Sequence, residues 1–267
     1  MSGIDPMASA HDFYIFHMKR LREAAGLSQD ALGGRVGYTG KMVGLVETKK
    51  RRPNTKMSVA MDELHEIPKF FEAMLPRIAE EVGLPPGFWE YVEEEARASQ
   101  IRLYNQNALP GLLQTPAYAW EVMRAGKRPD RVEELVKTRM ERQEILRRED
   151  PPNVIALVDE GVLRKTVGSP ERTKEQLAHL LELTEEPHIT VYVVPSAAQI
   201  WPETSFTVLS FDNDPDLGYV ESIGGRGRLL EAGPQVTELA VGFELIRENA
   251  LTAADSEVLI RTLMENA

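Results

Sequence analysis

No cysteine occurs in this chain of 267 residues. Its absence excludes disulfide bonds and zinc sites built from thiolates, and it fits a reducing compartment such as the cytoplasm. The chain also lacks a run of 18 apolar residues and the basic start and apolar core of a secretory signal, so no membrane contact is expected. We expect a cytoplasmic protein, in which residues 1–6 are either native or left over from an expression vector before a native start at Met7.

Residues that would carry catalysis or bind a metal are also scarce. The histidines do not have the spacing of metal ligands; they are His11, His17, His65, His179 and His188. Asp159 and Glu160 are adjacent carboxylates that could serve acid–base chemistry, although a turn or capping role fits them as well. The SIGGRGR segment at 222–228 lacks the order of a phosphate loop, so a hairpin turn is favoured. We predict no catalytic residue, no metal, no cofactor and no enzymatic activity.

Positive charge is scarce overall but not at the N-terminal end. The formal net charge is −11. Residues 1–58 contain ten Lys or Arg against five Asp or Glu, whereas residues 59–267 contain 21 against 37. A basic module on an acidic body suits a protein that binds nucleic acid with one end only.

The stretch from residue 27 to residue 53 has the pattern of two short helices across a tight turn. Ser28 stands directly before a helical apolar periodicity, where its hydroxyl can accept an unpaired backbone N–H. Leu32 and Val36 then share one face of the first helix. Gly37 can adopt the left-handed conformation that ends many helices.

A second short helix is predicted to follow at once. Thr39 can cap it, and Val43 and Val46 would be its inward residues. Another helix is predicted over residues 11–25, before the pair. This succession predicts a helix-turn-helix.

The segment resembles the repressor-type helix-turn-helix family, of the xenobiotic-response-element type. The matching residues are Gly26, Leu27, Ser28, Gln29, Leu32, Val36, Gly37, Thr39, Val43, Val46, Glu47, Arg52 and Pro53. The resemblance implies a five-helix domain over residues 11–68 that binds double-stranded DNA, with its second motif helix in the major groove.

The resemblance also implies roles for individual residues. Those expected to face the DNA bases are Thr39, Gly40, Lys41, Met42 and Leu45. Ser28 and Gln29 would contact phosphate, and Arg22 and Glu47 match a pair that ties the first helix to the recognition helix. A basic run follows the recognition helix and would lie beside the DNA backbone, unless it is a solvated loop; it comprises Lys49, Lys50, Arg51 and Arg52.

The segment departs from the family pattern at several positions. Gly33 and Gly34 lie inside the first motif helix, where each costs roughly 1 kcal/mol relative to Ala. Gly40 and Leu45 stand where relatives often carry polar base readers, and Lys49 stands where many have Gly. Lys41 is left as the strong base-edge candidate, so phosphate contacts and DNA shape are expected to supply much of the recognition.

The remaining chain is predicted to hold a helical connector over residues 69–100 and an α+β domain over residues 101–267. Helical patterns cover 132–147, 170–183, 236–249 and 253–265. Strand patterns cover 154–159, 189–194, 206–211 and 219–222. The predicted fold class is therefore multidomain, with an all-α helix-turn-helix domain followed by a larger α+β domain that has a small sheet.

A second resemblance covers about residues 85 to 262. The segments that carry it are Ile101–Tyr104, Leu109–Ala119, Arg139–Leu146, Asp150–Gly168 and Ile189–Pro195. They are similar to a domain that follows a repressor-type helix-turn-helix in antitoxin-like regulators of antibiotic-producing, spore-forming bacteria. Some relatives are thought to act with a small partner protein, so the resemblance implies a regulator without supplying a ligand.

Three functional hypotheses follow, and they can coexist. The first is a sequence-specific transcriptional regulator that binds DNA as a homodimer. The second is an antitoxin-like protein that binds a small partner protein and autoregulates its operon. The third is a sensor of a small-molecule effector, with a pocket lined by Tyr104, Trp120, Tyr192, Trp201 and Phe206, unless these aromatic residues are ordinary core.

Overall fold

The structure is a computed structural model that describes residues 4–81, 88–126, 129–200, 202–222 and 226–267. The chain divides into two compact units, Met1–Trp89 and Glu90–Ala267. In the described residues the first unit contains helices, turns and loops but no strand. Its helices are α1 (Ala10–Ala24), α2 (Gln29–Val36), α3 (Gly40–Glu47), α4 (Thr55–Leu64) and α5 (Leu75–Glu81), and α6 (Phe88–Glu95) continues into the second unit.

The core of the first unit includes residues beyond position 68. Phe71, Leu75 and Ile78 are buried in the same apolar cluster as side chains of α1 to α4. The carboxylate of Asp62 holds this segment in place, because it accepts the backbone N–H groups of Phe71 at 2.8 Å and of Glu72 at 3.1 Å. Part of the segment that the sequence suggested as a connector is therefore packed core of the first unit.

The ends of α2 and α3 are fixed by short-range capping. The hydroxyl of Ser28 accepts the N–H of Ala31, and the hydroxyl of Thr39 accepts the N–H of Met42. Gly37 ends α2 with φ of +76°, a left-handed conformation that glycine adopts without strain. These three assignments agree with the sequence interpretation.

The two glycines inside α2 differ in their surroundings. A β-carbon on Gly33 would lie 2.7 Å from the carbonyl carbon of Thr39 and 2.8 Å from the carbonyl oxygen of Tyr38. A β-carbon on the exposed Gly34 would meet nothing within 4 Å. Gly33 therefore allows α2 to pack directly against the turn before α3, whereas Gly34 has no packing role.

The second unit is α+β. Its strands are β1 (Gln100–Asn105), β2 (Asn153–Asp159), β3 (Ile189–Val194), β4 (Phe206–Ser210), β5 (Leu217–Ser222) and β6 (Arg226–Leu230). Its helices are α7 (Pro116–Arg124), α8 (Val132–Arg142), α9 (Glu160–Leu163), α10 (Pro170–Thr184), α11 (Pro234–Glu248) and α12 (Ala253–Glu265). The expected succession of a helical N-terminal part and an α+β C-terminal domain is confirmed.

The strands form one mixed sheet in the order β3-β2-β1-β4-β5-β6. The pairs β1–β2 and β2–β3 are parallel, and β4 to β6 pair antiparallel. Leu103 of the central strand β1 faces Ala156 on one side and Thr207 on the other. The strands β1 and β6 go beyond the four that the sequence predicted. Within the described ranges, no helix has both the length and the apolar content that crossing a membrane requires.

The two glycines of α2 provide a matched test of the packing between α2 and the following turn. Gly33→Ala should lower the free energy of unfolding of the first unit by about 1–3 kcal/mol, because the methyl group would overlap backbone atoms. Gly34→Ala should raise it by about 1 kcal/mol through helix propensity alone. Urea unfolding followed by circular dichroism measures both, and equal effects of the two substitutions would disprove the close approach.

Candidate functional site

The outward face of α3 is the most distinctive surface of the first unit. Val43, Val46 and Glu47 are buried, whereas Lys41 is exposed and Leu45 is half-buried. Lys41 and Leu45 lie four residues apart and therefore share one face. The exposed Thr48 follows three residues later on the same face. Its hydroxyl donates to the carbonyl of Gly44 at 2.7 Å, so its donor is used within its own helix.

Gly40, which is one of the residues predicted to face DNA, is buried and does not lie on this outward face. It is buried at the start of α3, where a β-carbon would lie 2.7 Å from the Cα of Asp30 in α2. The missing side chain thus allows α2 and α3 to touch. Its departure from the family pattern has a packing cause.

A buried ionic network ties α3 to the rest of the unit. Arg22 of α1 donates to both carboxylate oxygens of Glu47, with Nε to Oε1 at 2.6 Å and Nη2 to Oε2 at 3.0 Å. Gln29 adds a bond from Nε2 to Oε2 of Glu47 at 2.7 Å. The hydrogen bonds to Glu47 raise the pKa of Arg22. Three helices are joined at one carboxylate, so the orientation of α3 is set by paired and desolvated charge.

Four other predicted contact residues have tasks inside the unit. The amide of Gln29, which the resemblance assigns to phosphate, is used on Glu47. Met42 is half-buried and packs against the hydrophobic core. Ser28 and Thr39 are exposed and serve as N-caps of α2 and α3. The side chains that project to solvent beside α3 are therefore fewer than the sequence suggested.

The basic run after α3 is only partly available to a ligand. Lys50 and Arg51 are exposed and Arg52 is half-buried. Lys49 has a φ of +60°, which explains why glycine suits this position, and its ammonium group forms an ion pair with Asp12 of α1. Lys49 therefore anchors the chain to α1, and the other three residues of the run follow it.

Asp12 is the buried partner in that contact. Burial would raise the pKa of its carboxyl group, but the hydrogen bonds from Lys49 and from the hydroxyl of Ser9 outweigh burial and lower the pKa. A charged carboxylate is therefore held near the first turn of α1, where the helix dipole also favours it.

The aromatic residues suggested as a pocket do not form one group. Tyr104 and Phe206 are buried with ring centroids 5.7 Å apart, and Tyr192 packs against the same core cluster. Trp120 is half-buried on α7 and is not part of that cluster as far as the structure describes it. Trp201 lies outside the described residues. Three of the five are thus ordinary core around the sheet.

Asp159 and Glu160 are adjacent but have separate partners. Burial raises the pKa of Asp159, and the hydroxyl of Tyr104 donates to its carboxylate at 3.0 Å. The backbone N–H of Ser196 and the guanidinium of Arg164 lower the pKa of Glu160. The pair shows the turn and anchoring contacts that the sequence allowed for. In the described ranges, no three His, Asp or Glu side chains are grouped as metal ligands would be.

The sequence did not indicate a buried charge cluster in the second unit. Glu95, which ends an acidic run that would be read as a solvated face, is only 1% exposed. Arg142 donates to both of its oxygens at 2.9 and 2.8 Å, and Tyr91 donates a further hydrogen bond to it. Tyr91 also stacks on Tyr219, with ring centroids 4.1 Å apart. Only the tertiary fold reveals this cluster, because its members come from α6, α8 and β5.

A surface depression of about 470 Å³ lies elsewhere in the second unit. Its apolar floor includes Leu112, Leu146 and Ile189, and its polar edge includes His179 and His188. The Nε2 atom of His188 lies 3.1 Å from the carbonyl oxygen of Leu146. The depression has the size of a small-molecule site and is a separate place from the aromatic set suggested by the sequence.

Comparison with known proteins identifies one family. A family model described as domain of unknown function (DUF5753) matches residues 88–262, about two thirds of the chain. No curated protein and no solved structure matches the chain.

The network around Glu47 gives a stability prediction with a built-in control. Glu47→Ala should lower the free energy of unfolding of the first unit by about 3–5 kcal/mol, because Arg22 would be left buried without a countercharge. The matched control is Glu23→Ala, which removes an exposed carboxylate 3.6 Å from the same guanidinium and should change stability by about 0.5 kcal/mol or less. Urea unfolding measures both; similar effects would mean that Glu47 holds nothing in place.

Proposed function

The chain belongs to the DUF5753 family, whose description names no activity, and we propose that this member is a sequence-specific DNA-binding transcriptional regulator. In this proposal α2 and α3 are a repressor-type helix-turn-helix and α3 enters the major groove. The ligand is double-stranded DNA. The protein acts in the cytoplasm and does not catalyse a reaction.

One observation carries the proposal. The inward side of α3 is fixed by hydrogen bonds, its outward side exposes Lys41, and further cations follow directly after its end. The inward side of α3 is held by Arg22, Gln29 and Glu47. Lys50 and Arg51 are exposed just beyond α3. A short rigid helix with a donor for base edges and neighbouring cations for phosphates has the parts that groove recognition requires.

We also propose that the protein binds as a homodimer. A single α3 exposes few groups that can discriminate bases, so one copy would provide little sequence preference. Two copies related by two-fold symmetry would read half-sites about 34 Å apart and double the number of contacts.

A second role is proposed for the DUF5753 unit, namely antitoxin-like capture of a small basic partner protein. Residues 59–267 contain 37 Asp or Glu against 21 Lys or Arg, so a basic partner is electrostatically complementary. Val241 and Leu245 on α11 and Val258 on α12 are each more than half exposed, so they are the aliphatic side chains that we propose for the contact with the partner. DNA binding would then serve autoregulation.

DNA binding should separate into a sequence-dependent and a sequence-independent part. Lys41→Ala should lower the preference for the selected sequence by about 1–3 kcal/mol at one base pair. Lys50→Ala and Arg51→Ala should weaken all DNA sequences alike, and affinity should fall steeply with salt because phosphate neutralisation releases counterions. Fluorescence anisotropy with selected and scrambled duplexes measures these effects. Unchanged binding in all three variants would exclude this face of α3.

The partner-binding role has its own test. The full chain should copurify with the product of a small neighbouring gene, and Leu245→Glu should abolish that copurification because it places charge in the apolar contact. Gln235→Glu, near the start of α11, is the control that adds the same negative charge away from Leu245. Recovery of the chain alone from cells that express both proteins would contradict the role.

A further inference from the structure

The outward face of α3 carries an apolar group at the position where a polar base reader would be expected. Its positions are Lys41, Leu45 and Thr48, spaced at i, i+4 and i+7, and Gly44 lies at its edge, against Gln29 of α2. Lys41 supplies N–H donors, Gly44 has no side chain, and the hydroxyl of Thr48 donates to the carbonyl of Gly44. Lys41 is therefore the one side chain of this set whose donors are directed away from its own helix.

The side chain of Leu45 is not packed in the core of the first unit, as far as the structure describes that core. It is half-buried, and it is not among the side chains that pack against the core cluster in the described residues, although its neighbour Met42 is. Its backbone carbonyl accepts the N–H groups of Lys50 at 2.9 Å and of Arg51 at 3.0 Å, which fixes the chain around it. An isobutyl group is thus present on the outward face, one helical turn from Lys41.

From these contacts, we propose that Leu45 is a specificity-determining residue that reads the C5 methyl group of thymine in the major groove. The inference rests on the proposed DNA-binding function and specifies its target. Thymine is the base that presents an apolar group in the major groove, so an aliphatic side chain can discriminate there without hydrogen bonds. The half-site is therefore expected to contain a thymine for Leu45 and a guanine for Lys41.

The geometry of α3 sets the distance between these two bases. Four residues of an α-helix span about 6 Å along its axis at a rise of about 1.5 Å per residue. Base pairs are stacked about 3.4 Å apart. The thymine is therefore expected about two base pairs from the guanine.

Gly44 between them contributes by its lack of a side chain. A β-carbon there would lie 3.0 Å from Oε1 of Gln29, the residue that is hydrogen-bonded to Glu47. Glycine leaves this amide room to bond to Glu47, and it thereby preserves the contact between α2 and α3 that orients Lys41 and Leu45.

The test removes single methyl groups from the DNA. The full chain first selects duplexes from a random double-stranded pool, and each thymine of the selected sequence is then replaced by deoxyuridine. Replacing the thymine that faces Leu45 in a single half-site should weaken binding about fourfold. This corresponds to losing one buried methyl group of about 0.8 kcal/mol. Deoxyuridine at thymines that face neither copy of Leu45 is the matched control and should leave affinity unchanged.

Variants at position 45 link the effect to the side chain. Leu45→Ala should bind the thymine and uracil duplexes equally, whereas Leu45→Met should keep the difference because it retains an apolar contact. Selective, salt-dependent binding with no sensitivity to deoxyuridine would overturn the inference and leave the proposed function standing. Failure of the pool to yield any preferred duplex would overturn both, and a methyl effect that persists in Leu45→Ala would assign the contact to another residue.

Discussion

The backbones of α2 and α3 approach so closely that neither Gly33 nor Gly40 has room for a β-carbon. A helix of eight residues is not stable alone in water, so α3 depends on this contact and on the core beneath it. The other end of α3 is held by Glu47, which is bonded to α1 through Arg22 and to α2 through Gln29. Backbone contact at one end and paired charge at the other leave α3 a single orientation.

The chemistry of the outward face follows from this orientation. Gln29 and Met42, which the sequence predicted to contact DNA, have partners inside the unit, so few side chains remain exposed on this face. Such a face suits a regulator that takes affinity from phosphate contacts and discrimination from two or three base contacts per copy. In the proposed function, control by a partner is assigned to the acidic DUF5753 unit, which holds the buried Glu95–Arg142 pair.

The sequence predicts the local features of both units and misses those that depend on distant contacts. Caps such as Ser28 and Thr39 involve a neighbour three residues away, so the pattern of residue types is sufficient to identify them. The packing role of Gly40 depends on Asp30 in another helix. In the sequence alone, this glycine is seen only as a position without a side chain that could contact a base. The strand pattern of β1 is hard to recognise in the sequence because Arg102 interrupts it with a charge. This charge is tolerated in a central strand because Asp216 and Ser210 accept hydrogen bonds from it.

The central claim is that α3 of this chain reads a DNA sequence, and mapping the chromosomal sites bound by the full chain in its host tests it most directly. We predict a limited set of bound sites that lie upstream of genes and share a two-fold symmetric motif. The half-site centres of this motif should be about 10 base pairs or a multiple of that apart. Recovery of chromosomal DNA with no enriched sites relative to the input would contradict it.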